Sequence, residues 1–305
     1  MTIRSERVGI NPLQWVASAD GWIDPSLAPP LREQLAAISA AGFQSLYTSV
    51  PEGFSAEQYG ALLAEYGLSP APGYIPALFT DDDDARKQLR DRAERTSAQH
   101  AELGVPVLFL ALGMAKDAER VAHPAVGYAA NQDRLKRARD LLVEIAELVR
   151  AAGVTPAFHP HVGTWAETEQ EARFVLDTVD ADLLAFGPDT GHLGWAGADV
   201  PRLIADYADR VASVHIKDYH AEIAARGKAE GWDYRTTVRN GLWAEPGQAS
   251  ADLDSVIAAL PADFDGWLII EVDRGAQATP AESIRLCGEW ARSFGTSEEP
   301  GRTET

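Results

Sequence analysis

The sequence predicts a single (β/α)8 barrel, a TIM barrel, and three observations carry that expectation. Short β-branched or apolar runs alternate with longer amphipathic runs rich in Ala, Leu, Glu and Arg along the 305 residues. Eight strand candidates recur in a length that suits one barrel. The turn after the first strand reads NPLQW rather than a glycine-rich phosphate loop, which argues against an open dinucleotide-binding sheet.

In chain order, the strands are expected over residues 7–10, 45–48, 69–74, 107–111, 155–158, 184–187, 212–216 and 267–272. Helices over 30–41, 56–66, 84–103 and 131–152 each run into a glycine, at 42, 67, 104 and 153, the residue that accepts a left-handed stop. Ser55 stands where the second helix needs an N-cap. Helices over 199–208, 250–259 and 281–294 complete the alternation. The acidic run 81–84 sits where a helix begins and reads as a solvated N-terminus rather than a metal site. The barrel domain is assigned to residues 1–295, and the polar run TSEEPGRTET, 296–305, to a disordered tail. One connection breaks the rhythm: residues 217–247 make a long loop after strand seven, expected to cover the C-terminal mouth of the barrel. Its Trp232, Tyr234 and Trp243 are costly to expose unless they pack or bind something.

Composition narrows the function. With 46% hydrophobic and 24% charged residues the chain is ordinarily globular. Its 27 Lys and Arg against 46 Asp and Glu give a net charge of -19, which repels phosphate backbones and anionic membranes and so excludes nucleic acid and membrane as partners. The single cysteine, Cys287, reads as a buried helix residue and points to a reducing cytoplasm. No run approaches the roughly 18 apolar residues of a membrane span, and the start lacks the apolar core of a signal peptide. A soluble, cytoplasmic protein is expected, as a homo-oligomer or an accessory subunit in the alternative case.

Five of the seven histidines, His159, His161, His192, His215 and His220, fall between strand five and just past strand seven, while His100 and His123 are isolated. In a barrel, C-terminal strand ends converge on one mouth. Here strand five runs into His159 and His161, strand six into Asp189 and His192, strand seven presents His215, and strand eight runs into Glu271. His159, Asp189, His215 and Glu271 therefore form a mixed nitrogen and oxygen ligand set suited to a divalent metal, Mn²⁺ or Co²⁺ first, with Zn²⁺ or Mg²⁺ as alternatives. Taken singly, each has a bland reading, such as a hydrogen-bonded rim histidine or an Asp capping a turn. Their repetition at four strand ends is what argues for a site.

The segments FHPHVGTWAET, PDTGHLGWAG, SVHIKD, VRNGLWAEPGQ and GWLIIEVD resemble the xylose-isomerase-like sugar isomerase and epimerase barrels, and particularly the inosose dehydratases. The resemblance is good over residues 105–272 and looser before them. It implies that Asp189, His215 and Glu271 are metal ligands, with His192 near metal or substrate. It also shows two departures. The epimerases carry a glutamate in an ENH-like segment where His159 stands here, with His161 at its histidine, so one of the two opposed carboxylates of epimerisation is lost. The inosose dehydratases carry an acid near the end of strand two, where this chain reads LYTSVPEGF.

The resemblance implies a dehydratase acting on a keto-polyol such as 2-keto-myo-inositol. A base removes the proton alpha to the ketone, the metal stabilises the enediolate oxygens, and an acid helps hydroxide leave. Glu271 is read as ligand and candidate base, His161 and His192 as acid/base groups, and Lys217 as stabiliser of the enolate or as a partner of Asp218 or Asp189. Trp15, Trp165, Trp232 and Trp243, with Trp22 and Trp195, offer faces for a sugar or aryl group if they do not simply pack, and Arg235 is a further candidate substrate contact. The same chemistry would serve elimination from a 3-keto-glycoside, and an isomerase or 3-epimerase is the other alternative. A multi-metal DNA endonuclease on this barrel is disfavoured by the charge.

Overall fold

The apolar runs of the sequence become strands buried on both faces, as a parallel sheet wrapped in helices requires. The computed structural model describes residues 3–80 and 82–294; Asp81 of the acidic run and the expected tail lie outside the described residues. The strands are β1 (Val8–Asn11), β2 (Ser45–Tyr47), β3 (Ser69–Ala71), β4 (Tyr74–Ala77), β5 (Val107–Leu112), β6 (Thr155–Phe158), β7 (Ala185–Phe186), β8 (Ser213–Ile216), β9 (Asp218–Tyr219), β10 (Trp243–Ala244) and β11 (Trp267–Glu271). Two parallel sheets, ordered β3-β2-β1-β11-β8 and β4-β5-β6-β7, form the barrel wall. They meet on one side through the parallel bridges Phe186 to Val211 and Asp189 to His215. On the other side the chain itself passes from β3 into β4.

That passage corrects the expected third strand, 69–74, which is two strands serving different sheets. Gly73 explains the break. Its N–H donates to His100 Nε2 at 3.0 Å rather than to a neighbouring strand, and its carbonyl accepts from Phe109 N at 2.9 Å. A Cβ at this position would lie 2.7 Å from His100 Nε2 and collide with the Thr48 carbonyl, so only glycine fits.

Helices Leu31–Ala40, Ala56–Glu65, Asp83–Glu102 and Gln132–Ala151 form where the pattern places them, and the glycines after them, 42, 67, 104 and 153, all take the left-handed conformation. Ser55 and Gln58 close a reciprocal capping box, and Asp82 caps the helix that the acidic run opens. Val200–Asp206, Leu253–Ala258 and Pro280–Arg292 fill the remaining expected places. Cys287 is buried in the last of these. The sequence reading misses helix Glu169–Thr178, although Thr168 and Glu171 spell the same capping box.

Residues 217–247 are not a loop. β9 and β10 pair as an antiparallel ribbon, and helices Ala221–Glu230 and Tyr234–Arg239 lie between them. Tyr234 and Trp243, 4% and 2% exposed, are packed, which removes the cost of leaving them in water. Among the described residues no helix is long and apolar enough to cross a membrane.

Candidate metal centre and active site

Four consecutive strand ends of the C-terminal half deliver the ionisable groups. His159 follows β6 directly, and its N–H bonds the Leu110 carbonyl at 2.8 Å. His215 stands within β8, and Glu271 ends β11. Asp189 caps helix Thr190–Trp195, its Oδ1 accepting from His192 N at 2.7 Å, which turns Oδ2 toward the barrel interior. The Thr190 hydroxyl fixes the start of the next segment by accepting from Lys217 N at 2.9 Å and donating to Lys217 O at 2.8 Å. Gly191 allows this contact, because a Cβ there would stand 2.6 Å from Lys217 Cγ.

Single donor atoms of His159, Asp189 and His215 lie within 4.8 Å of one another. His159 Nε2 and His215 Nδ1 are each 3.8 Å from Asp189 Oδ2, and Glu271 Oε2 is 3.7 Å from His215 Nδ1. Asp189 Oδ2 and both ring nitrogens of His215 are buried without a hydrogen-bond partner. A buried polar atom left unpaired is expensive, and two such atoms facing a common point suit a divalent cation. The charges agree: Lys217 is one cation set among the carboxyl groups of Glu271, Asp273 and Asp189.

Lys217 is wholly buried. Its Nζ lies 2.7 Å from Glu271 Oε1, 2.7 Å from Asp273 Oδ1 and 3.2 Å from His192 Nε2, and over the Trp243 ring at 4.9 Å. Its partners are thus Glu271 and Asp273, with Asp189 at 3.8 Å. The expected pairing with Asp218 does not form, because that carboxylate accepts N–H groups of Tyr219, Ala249 and Ala251. Burial alone would lower the Lys217 pKa, but Asp273, Glu271 and Asp189 raise it well above its usual value, so it stays charged. Glu271 is held down to about 2, since Lys217, His215 and the Asn11 amide outweigh burial. Asp189 is pushed up to about 7 by burial against the pull of Lys217. Burial lowers His215 and His161 to about 4, and takes His159 and His192 well below their usual range.

A cavity of about 400 Å³ opens above these groups, with His159, His161, Glu271 and Asp273 in its lining. Trp22 and Tyr234, parallel at 5.8 Å between centroids, also line it. His161 Nδ1 lies 2.7 Å from the Val162 carbonyl, which assigns the proton to Nδ1 and leaves Nε2 as an acceptor. His192 sits behind it, ring centroids 3.6 Å apart, and is not in the lining.

Of the side chains offered as substrate faces or contacts, Trp22 lines this cavity, and Trp15, Trp165, Trp195, Trp232, Trp243 and Arg235 do not. Trp165 lies between the guanidinium groups of Arg120 and Arg134, at 4.7 and 4.3 Å. Trp243 packs against Lys217, His192 and Trp195 in the interior. Trp232 stacks under Arg226, Trp15 packs on the core, and Arg235 donates to the Asp20 carbonyl at 3.0 Å. In each case packing or pairing on the chain's own groups takes up the side chain. The sequence reading misses Asn11, whose amide donates to Glu271 Oε2 at 2.5 Å across 260 residues, and Asp273, Tyr47 and Tyr74. The readable signals were strand-end positions: Asn11 ends β1, and Asp273 lies two residues past β11.

The model of a family described as xylose isomerase-like TIM barrel matches residues 35–293. The inosose dehydratase of Geobacillus kaustophilus (strain HTA426) is 26% identical over 297 residues, 95% of this chain and 94% of the relative. That of Clostridium beijerinckii is 29% identical over 157 residues, so this alignment spans about half of either chain. Among solved structures, the IolI protein with a bound zinc atom superposes with a TM-score of 0.69 at 15% identity, over 97% of this chain and 100% of that one, a likeness of fold.

Proposed function

The chain belongs to the xylose isomerase-like TIM barrel family, and we propose that it is a divalent-metal-dependent dehydratase acting on a keto-polyol, with 2-keto-myo-inositol as the first candidate. The observation that carries this reading is the buried His159, Asp189 and His215 triad beside the cavity, with its unpartnered Asp189 Oδ2 and His215 Nδ1. The inosose dehydratase relatives support the reaction class.

His159, Asp189 and His215 would hold the cation, with Glu271 beside them. Bound there, a divalent ion would supply Lewis acidity to the substrate's carbonyl oxygen and so acidify the neighbouring C–H. The remaining work falls to the chain's own groups. His161, neutral and with its Nε2 lone pair free of the Val162 contact, takes the proton from the carbon alpha to the ketone. The same nitrogen returns that proton to the hydroxyl on the beta carbon, which leaves as water as the C–C double bond forms. The low pKa of His161 suits the second half of this cycle, because its imidazolium is a strong acid. Glu271 has one oxygen on Lys217 and the other on Asn11, so it fixes geometry rather than serving as the base. Lys217, with Glu271, Asp273 and His192 around its ammonium, supplies a fixed positive field for charge developing on the substrate.

Incubation of the protein with Mn²⁺ and 2-keto-myo-inositol in D₂O, followed by mass spectrometry, tests the reading. Loss of one water is the expected result. Deuterium uptake without water loss replaces the dehydratase by isomerase or epimerase chemistry, and an unchanged substrate refutes the assignment to inosose.

A further inference from the structure

A second cleft, about 700 Å³, opens beside the histidine cavity and shares Tyr47, Tyr74 and Pro76 with it. Its floor is the segment after β2 in which this chain departs from the inosose dehydratase pattern, and its far wall is helix Asp83–Glu102. Two guanidinium groups, Arg92 and Arg95, line it from that helix. On the same helix, Arg86 and Arg90 are both spent on Glu144, at 3.0 and 3.2 Å. Arg92 and Arg95 have no ion pair or hydrogen bond among the described residues, although acidic side chains outnumber basic ones 46 to 27 in the sequence. A second observation is independent of them. Thr48, only 3% exposed, is in the cleft lining and carries a buried hydroxyl that has no hydrogen-bond partner. An unpaired buried hydroxyl is a cost to the fold that a ligand oxygen would offset.

We propose that this cleft binds an anionic group, a carboxylate or a phosphate, carried by the same molecule whose polyol part occupies the histidine cavity. Planar guanidinium groups suit oxyanions in a fork of parallel hydrogen bonds, and the Thr48 hydroxyl donates to a further oxygen. Glu52, also in the lining, accepts from a hydroxyl of the linking carbon chain. The shared aromatic wall of Tyr47 and Tyr74 spaces the two parts. The inference rests on the proposed function for its polyol half only, and binding can be read without turnover.

Isothermal titration of the metal-loaded full chain with sorbitol 6-phosphate, gluconate, neutral sorbitol and inorganic phosphate tests it. Both anionic polyols should bind at least about tenfold more tightly than sorbitol. The double variant Arg92→Gln/Arg95→Gln should abolish that ratio while leaving sorbitol affinity and the thermal midpoint unchanged, since both arginines are exposed. Thr48→Val should weaken the anionic polyols without lowering the thermal midpoint. Equal affinity for charged and neutral polyols, or a ratio that survives the double variant, overturns the proposal. So does inorganic phosphate binding as tightly as sorbitol 6-phosphate, which makes the cleft a site for a free anion. Failure to dehydrate 2-keto-myo-inositol alongside an arginine-dependent ratio sinks the reaction and keeps the cleft.

Discussion

His100 and His215 are each 1% exposed, and burial lowers the pKa of both to about 4, yet they belong to different kinds of region. On the outer layer, His100 spends both ring nitrogens on backbone: Nε2 accepts from Gly73 N and Nδ1 donates to Thr96 O at 2.8 Å. At the mouth, neither nitrogen of His215 has a hydrogen-bond partner, and two carboxyl groups stand within 4 Å of it. The contrast teaches that burial and a shifted pKa do not separate a structural histidine from a functional one. What differs is the accounting of donors and acceptors: His100 is fully paired and His215 is not, and that difference is what the proposed metal site rests on.

The largest expected break comes from the mouth. His215→Ala should abolish metal retention measured by inductively coupled plasma mass spectrometry and lower turnover by about 10³-fold or more. It should also abolish the rise in thermal midpoint that Mn²⁺ gives the wild type, a gain worth about 2.7 kcal/mol at a hundredfold excess over Kd. A variant that keeps its metal and its activity would erase the distinction between the two histidines.

Next in size is His161→Gln, expected to cost about 10²- to 10⁴-fold in kcat with metal content unchanged. Parallel loss of the metal would move His161 from proton transfer to ligation. On the structural side, His100→Phe should leave kcat per folded molecule intact and destabilise the protein by about 1–3 kcal/mol in urea unfolding, because the buried Gly73 N–H loses its acceptor. The sign with pH follows from a folded pKa near 4 against 6.5 unfolded. The His100 contribution is whole above pH 6.5 and is lost as pH falls toward 4, so the gap between wild type and variant should narrow over that window. A gap that widens on acidification would contradict the assignment. Smallest of all, Arg235→Ala should change kcat/KM less than about twofold and stability by less than about 0.5 kcal/mol, since this half-exposed side chain bonds to the Asp20 region and touches the cavity wall only through a long contact, 5.9 Å, over the Trp22 ring.

Much of the molecule is legible in its linear order. Alternating period and glycine stops locate seven helices within a residue or two at most ends, because helix termination is a local backbone matter. His159, Asp189, His215 and Glu271, the groups named in the proposal, are legible because they lie in or shortly past barrel strands, where topology directs side chains to one mouth. The split at Gly73 is not: nothing nearby announces that His100, 27 residues on, takes its N–H. The insertion over 217–247 offers little apolar period to read: Ala221–Glu230 buries only Ala224 and Gly227, Tyr234–Arg239 is six residues long, and both stand on tertiary packing.

Hydrophobic period, turn chemistry and topology, all present in the linear order, suffice for the barrel, the order of its elements and the residue types that meet at its mouth. Which of those groups remain unpaired depends on the closed barrel. Lys217 settles on Glu271 and Asp273, Asn11 reaches Glu271 across 260 residues, and the tryptophans turn to packing while Trp22, Tyr47, Tyr74 and Tyr234 line the cavity. The physical reason is that a hydrogen bond or ion pair is satisfied by distance in space, and strand ends far apart in the chain become neighbours only when the barrel closes.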